Sequence, residues 1–182
     1  MDINELTIDQ NLLERINPVF NTAKMTLFQL SAAGDQDAIR ISDKLGLTLE
    51  NTNRVSSPEE MIHNIIVLET RFRTMGALAE ETGFTEVDLP CGYTPRAIEF
   101  ARKGKKFVGL DLPAAIAEAE PAITSLINED KRDLVRFEGC NATNYESLKH
   151  VFDSIPGEVC IDRKSTRLNS SHSGQSRMPS SA

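Results

Sequence analysis

The sequence predicts an α/β fold: the first four parallel strands of a doubly wound sheet, preceded by a helical cap. Two observations carry that expectation. From Thr85 onward, short apolar or β-branched runs alternate with helix-period segments of ordinary length, the pattern of a parallel sheet with crossover helices. Before Thr85 the apolar spacing is helical and is punctuated by helix caps and stops. Residues 1–84 therefore read as a helical cap region and residues 85–161 as a partial parallel sheet with its crossover helices.

In chain order, Thr7-Ile8-Asp9-Gln10 fits a capping box, with Leu12, Leu13, Ile16 and Phe20 following at helical spacing. Asp37 to Leu45 is a short amphipathic helix closed by Gly46, with Ala38, Ile39, Ile41 and Leu45 apolar. Ser56-Ser57-Pro58-Glu59-Glu60 is the clearest start signal: Ser57 as N-cap, Pro58 at the first helical position, Glu60 completing the box. That helix should run to about Thr82 and stop at Gly83. Met61, Ile65, Leu68, Phe72, Met75 and Ala79 form its apolar stripe, which is too short for a coiled coil and fits burial against its own domain.

TEVDL (85–89) is the first strand, PRAIEFARKG a helix ended by Gly104, and KFVGLD the second strand. PAAIAEAEPAITSLINED (113–130) follows as one helix bent at Pro121. LVRFEG is the third strand, NYESLKHVF a helix with Thr143 and Glu146 as a capping box, and GEVCI (157–161) the fourth strand.

The segment from Asp162 to Ala182 stands apart. Asp162 to His172 back-translates into a sequence resembling the standard adapter ligated to short-read sequencing libraries. After Ser173, Gly174 and Gln175 the match resumes, with Ser176 to Ala182 corresponding to the adapter beyond the sample index. Residues 162–182 are therefore expected to be a non-native, disordered tail, and the native frame to be cut near Ile161.

Setting aside Arg163, Lys164, Arg167, Arg177 and Asp162, twenty cations and twenty-seven anions become a net charge of −10. So acidic a chain argues against partnership with nucleic acid or anionic membrane. Cys91, Cys140 and Cys160 are too scattered for a metal site and too few for a disulfide framework, so they read as reduced thiols. With no leader-like N-terminus and no apolar span, a cytoplasmic setting is expected.

Ligands of parallel sheets sit beyond the carboxyl ends of the strands. The first such loop, LPCGYTP, brings Gly92, whose backbone can approach a ligand, and the amides of the helix start at Pro95, which favour an anion. Asp111, twenty-three residues beyond Asp88, ends the second strand, where a carboxylate can accept from both hydroxyls of a ribose; it also fits an N-cap before Pro113. The loop lacks the glycines of a pyrophosphate-binding turn, which favours a nucleoside over a dinucleotide. Asn141 ends the third strand and can read an adenine edge, or serve as a plain turn residue. Arg96 lies in the first turn of its helix, against the helix dipole, and so calls for an anion, which the reading assigns to a ligand carboxylate.

The motifs VDLPCGYTPRA, FVGLDLPAAI and RFEGCNATNYESL, in this order and spacing, resemble the leucine carboxyl methyltransferase-like branch of the class I S-adenosylmethionine methyltransferases. Asp88, Leu89, Gly92 and Arg96 match the family's first motif, while Pro90 replaces its first glycine and Thr94-Pro95 its Asp-Thr. Asp111-Leu112-Pro113 matches its Asp-Leu-Pro, Asn141-Ala142 stands in its Asp-Leu, and Arg73 stands where a cofactor-contacting arginine is common.

The resemblance implies an O-methyltransferase fragment that binds S-adenosylmethionine and methylates a carboxylate or hydroxyl oxygen of a small molecule or protein. It implies Cys91 and Gly92 at the methionine part, Arg96 and Arg73 at its carboxylate, Asp111 at the ribose, and Leu112, Asn141 and Ala142 around the adenine, with Asp88 in the motif. No catalytic acid or base stands out, no metal is implied, and the truncated chain is expected to be inactive. Two alternatives remain: a nucleotide-dependent oxidoreductase of Rossmann topology, and a non-catalytic helical interaction module built on the 57–82 helix.

Overall fold

The computed structural model describes residues 18–47 and 57–162. The capping box at Thr7 to Gln10 and the apolar residues Leu12, Leu13 and Ile16 lie outside them. Three helices come first: α1 (Pro18–Ala32), α2 (Gln36–Lys44) and α3 (Pro58–Thr82). They are followed by β1 (Thr85–Asp88), α4 (Arg96–Arg102), β2 (Phe107–Asp111), α5 (Pro113–Thr124), a 3-10 helix (Glu129–Leu134), β3 (Val135–Gly139), α6 (Tyr145–Asp153) and β4 (Val159–Asp162).

The caps explain several boundaries. Asp35 accepts from the amides of Asp37 and Ala38 and starts α2. Ser57 and Glu60 form the reciprocal box that starts α3, and Gly83, at φ 69°, ends it in the left-handed conformation.

The sheet is parallel throughout, with strand order β3-β2-β1-β4. Chain direction across the sheet reverses between β1 and β4, the switch point at which open α/β sheets present their crevice. Alternation along β1 and β2 divides the core. Val87, Val108 and Leu110 face α6, where Val151 joins them with Leu148 and Phe152 at the margin, and Ile155, just past the end of that helix, completes the cluster. On the other face Phe107 enters a larger cluster with Leu27 and Leu30 of α1, Ile41 of α2, Phe72 and Ala79 of α3, Phe100 of α4 and Ile123 of α5. The helical front and the sheet therefore share one apolar core. Phe107 contacts the rings of Phe100 and Phe137, each with centroids 6.1 Å away. Phe137 crosses β2 where the bare Gly109 makes room: a Cβ there would lie 2.7 Å from the Phe137 ring.

Three boundaries differ from the sequence expectation. The helix expected over 113–130 ends at Thr124 and contains Pro121 in its last turn; the Ser125 amide donates to the Pro121 carbonyl at 3.2 Å and Ser125 Oγ to the Ala122 carbonyl at 2.8 Å. The residues beyond it make a connection and the 3-10 helix. The cap of α6 is Asn144, whose side chain accepts from the Ser147 amide, whereas the Thr143 hydroxyl is taken by Asn141 Oδ1. Finally, β4 runs through Asp162, which pairs with Asp88 across the sheet although the sequence places it in the tail.

Candidate functional site

The loop after β1 is held from both neighbouring strands. The Leu89 amide donates to the Asp162 carbonyl at 3.0 Å and the Cys91 amide to the Leu110 carbonyl at 2.9 Å. Gly92 turns at φ 55°, in the region L side chains avoid, and its amide donates to Asp111 Oδ2 at 2.8 Å. Asp111 Oδ1 accepts from the Leu112 amide at 2.7 Å, and its main-chain carbonyl accepts from Cys140 at 2.7 Å. One carboxylate at the end of β2 thus clasps the loops after β1 and β2, in a backbone that also ties down the start of the loop after β3.

α1 packs across this loop. A Cβ on Gly92 would lie 3.4 Å from Ala23. The Tyr93 hydroxyl donates to Glu118 Oε2 of α5 at 2.6 Å, while Lys24 reaches Glu118 Oε1 at 2.7 Å and sits 5.5 Å over the Tyr93 ring. Cys91, Gly92 and Tyr93 are consequently buried, whereas Leu112 is half-exposed and Asn141 and Ala142 are exposed. The closed side of the loop lies under α1, and the open side lies toward the ends of β2 and β3.

Arg96 occupies a different place from the one its sequence position suggests. It is fully buried, and the anions that face it belong to the chain itself: Asp162 at 3.3 Å, Glu86 at 3.7 Å and Asp88 at 4.0 Å. Its Nη2 donates to the Phe72 carbonyl of α3 at 3.1 Å, and its guanidinium lies 4.6 Å from the centroid of the Phe72 ring. The charge that looks misplaced against the helix dipole is thus offset from β1 and β4.

Burial pushes the Glu86 carboxyl up to about 7; Arg96 pulls it down, while Asp88 and Asp162 add to the rise. The neighbouring Cys160 thiol is pushed up, first by burial and then by Glu86.

Arg73, on the exposed side of α3, pairs with Asp35 and with Glu99, each at 2.7 Å. Burial raises Glu99 above the usual carboxylate range, and Arg73 opposes the rise. Asn141 folds its side chain onto its own turn, accepting from the Thr143 amide and hydroxyl at 3.0 and 2.7 Å. Among the predicted site residues, the structure directly joins Gly92, Asp111 and Leu112, with Cys91 adjacent. Asp88 and Arg96 form a second group at the β1–β4 seam, and Arg73 bonds elsewhere.

Sequence reasoning missed Glu86, Asp162 and the Tyr93–Glu118–Lys24 set. The signal for Glu86 was available: acids two apart in a strand share a face, and two carboxylates on a buried face require a cation.

A cavity of about 380 Å³ lies between α3 and β4, lined by Met75, Leu78, Ala79, Cys160, Ile161 and Asp162 among others. Among the described residues no His, Cys, Asp or Glu group is arranged to hold a metal ion, and no helix is long and apolar enough to cross a membrane. The class defined by fold and site is an α/β protein with a parallel, switch-point sheet. No protein-family profile, curated protein or solved structure matches the chain.

Proposed function

We propose that the chain carries the cofactor-binding part of an S-adenosylmethionine-dependent O-methyltransferase acting on a carboxylate or hydroxyl oxygen. The observation that carries this reading is the clasp of Asp111 on the Gly92 amide, at the carboxyl ends of adjacent parallel strands beside the switch point. An acidic residue ending the second strand suits a ribose. The Gly92 and Leu112 amides fix the Asp111 carboxylate at the end of β2, where the ribose would lie in this reading.

In this reading Asp111 holds the ribose, Leu112, Asn141 and Ala142 border the adenine, and the backbone at Cys91 and Gly92 lies along the methionine part. Asp88, Arg96 and Arg73 act as positioning residues, since their charged groups face one another or other side chains of the chain. The cofactor supplies an already activated sulfonium methyl, so the protein's work is to orient the acceptor oxygen and exclude water. A reducing, cytoplasmic setting is part of the proposal, on the scattered placing of Cys91, Cys140 and Cys160 in the sequence.

Calorimetry with S-adenosylhomocysteine and with NAD tests the proposal. Saturable binding of the former that weakens in Asp111→Ala supports it, and binding of NAD alone refutes it.

A further inference from the structure

The β1–β4 seam joins the two halves of the sheet at its switch point, and its electrostatics are unusual. Register pairing puts Glu86 beside Cys160 and Asp88 beside Asp162, so two acids meet directly across neighbouring strands. Like charges so placed destabilise a sheet. One guanidinium, Arg96 of α4, faces all three carboxylates, and Arg96, Glu86, Asp88 and Asp162 are all buried. With every group ionised the cluster would carry a net charge of −2 away from water, an arrangement that burial strongly disfavours. Among the described residues the one hydrogen-bond donor that reaches Glu86 is the weak thiol of Cys160, so Glu86 is the carboxylate with least to lose by holding a proton.

We propose that Glu86 is a protonation-controlled latch on the β1–β4 seam. Neutral Glu86 leaves Arg96 to hold Asp88 and Asp162 together, and ionised Glu86 adds an unbalanced buried charge that loosens β4 from β1. The charged and titratable groups facing Glu86 are Arg96 from α4, Asp88 on its own strand, and Asp162 and Cys160 from β4. From α3 the Phe72 carbonyl holds Arg96 in place. The upward shift of Glu86 to about 7 puts the latch within the neutral range. The latch needs no cofactor, so its failure and that of the methyltransferase reading are separately visible.

The test is made on the ligand-free 182-residue protein. The 13Cδ shift of Glu86 reads its proton directly. Amide hydrogen exchange at Leu89, whose N–H donates to Asp162 across the seam, reads the latch as a protection factor, with intrinsic pH dependence divided out. The Cys91 amide, bonded to Leu110 of β2, is the internal control. Expected is a Glu86 midpoint near neutrality, with Leu89 protection falling about tenfold per pH unit between roughly pH 5 and 7 and then levelling, while Cys91 changes less.

Glu86→Gln should flatten the Leu89 profile. Should that variant fail to fold, Asp162→Asn, which removes one of the anions raising Glu86, should move the Leu89 transition to lower pH. A Glu86 midpoint near 4.5, a flat wild-type Leu89 profile, a Glu86→Gln profile like wild type, or an unmoved transition in Asp162→Asn would each overturn the latch.

Discussion

Replacing Arg96 with methionine keeps most of the side-chain volume while deleting the guanidinium that faces Glu86, Asp88 and Asp162 at the β1–β4 seam. At about 4 Å and an effective dielectric near 20, each attraction is on the order of 4 kcal/mol before desolvation is counted. Desolvation removes much of that gain in the intact cluster, but the variant still buries the carboxylates and no longer offsets them. Removing one partner of a buried pair destabilises by about 3–5 kcal/mol, and that is the figure expected for Arg96→Met.

For a chain of this size such a loss lowers Tm by about 6–20 °C, at about 2–4 °C per kcal/mol. It is large beside a total stability of about 5–15 kcal/mol. The sign of its pH dependence follows from the same charges. Acid protonates the stranded carboxylates, so the deficit should be smaller at pH 5 than at pH 8. Urea unfolding of both proteins at both pH values measures it, with Lys149→Met, which cuts the exposed pair with Asp153 on α6, as a control expected to lose no more than about 1 kcal/mol. A loss below about 1 kcal/mol for Arg96→Met, equal at the two pH values, would refute the view that Arg96 balances this cluster.

Other expectations follow from particular contacts. Between its ordinary 4.5 and its raised value of about 7, Glu86 is protonated in the folded chain and ionised in the unfolded one, so wild-type stability should fall by about 3 kcal/mol as pH rises through that window and change no further above it on this account; denaturant melts across pH 4.5 to 8 read the slope, and a rise would contradict it. Asp111→Ala should weaken S-adenosylhomocysteine binding by about 1.5–3 kcal/mol in calorimetry, and an unchanged Kd would remove Asp111 from the proposed site. Gly109→Ala puts a methyl 2.7 Å from the Phe137 ring and should cost about 1–3 kcal/mol, part of which Phe137→Leu should restore in the double variant. Ser57→Ala breaks the capping box of α3 and should lower stability by about 1 kcal/mol in a urea melt.

Local chemistry made the elements legible. Ser57, Pro58, Glu60 and Gly83 mark both ends of α3, and the alternation of apolar runs after Thr85 yields four parallel strands. Boundaries decided by competition among neighbours were harder to read. Thr143 and Asn144 both suit a helix cap, and the choice depends on Asn141 having already engaged the Thr143 hydroxyl.

The site divides in the same way. Asp111 and Gly92 are adjacent because successive parallel strands put their carboxyl ends side by side, a consequence of topology that spacing reveals. The surroundings of Arg96 depend on β4 returning beside β1, where Asp162 pairs with Asp88 from far along the chain. A helix-dipole argument sees only the first turn and so looks outside the chain for an anion that β1 and β4 already supply.

The shared core of the helical front and the sheet also bears on synthesis. Leu27, Ile41 and Phe72 leave the ribosome before Phe107 and Ile123, the residues that close the same cluster. During that interval the emerging helices have an apolar face with no sheet to cover it, and β1 has no strand to pair with until β2 has followed. Closure therefore depends on long-range contacts made late, which slows folding and lengthens the time for which sticky surface is open to other chains. Chaperone demand should accordingly concentrate in the period after α3 has emerged and before α5 is complete, and ribosome-bound chains ending near Gly104 should be captured more readily than chains extended past Ile127.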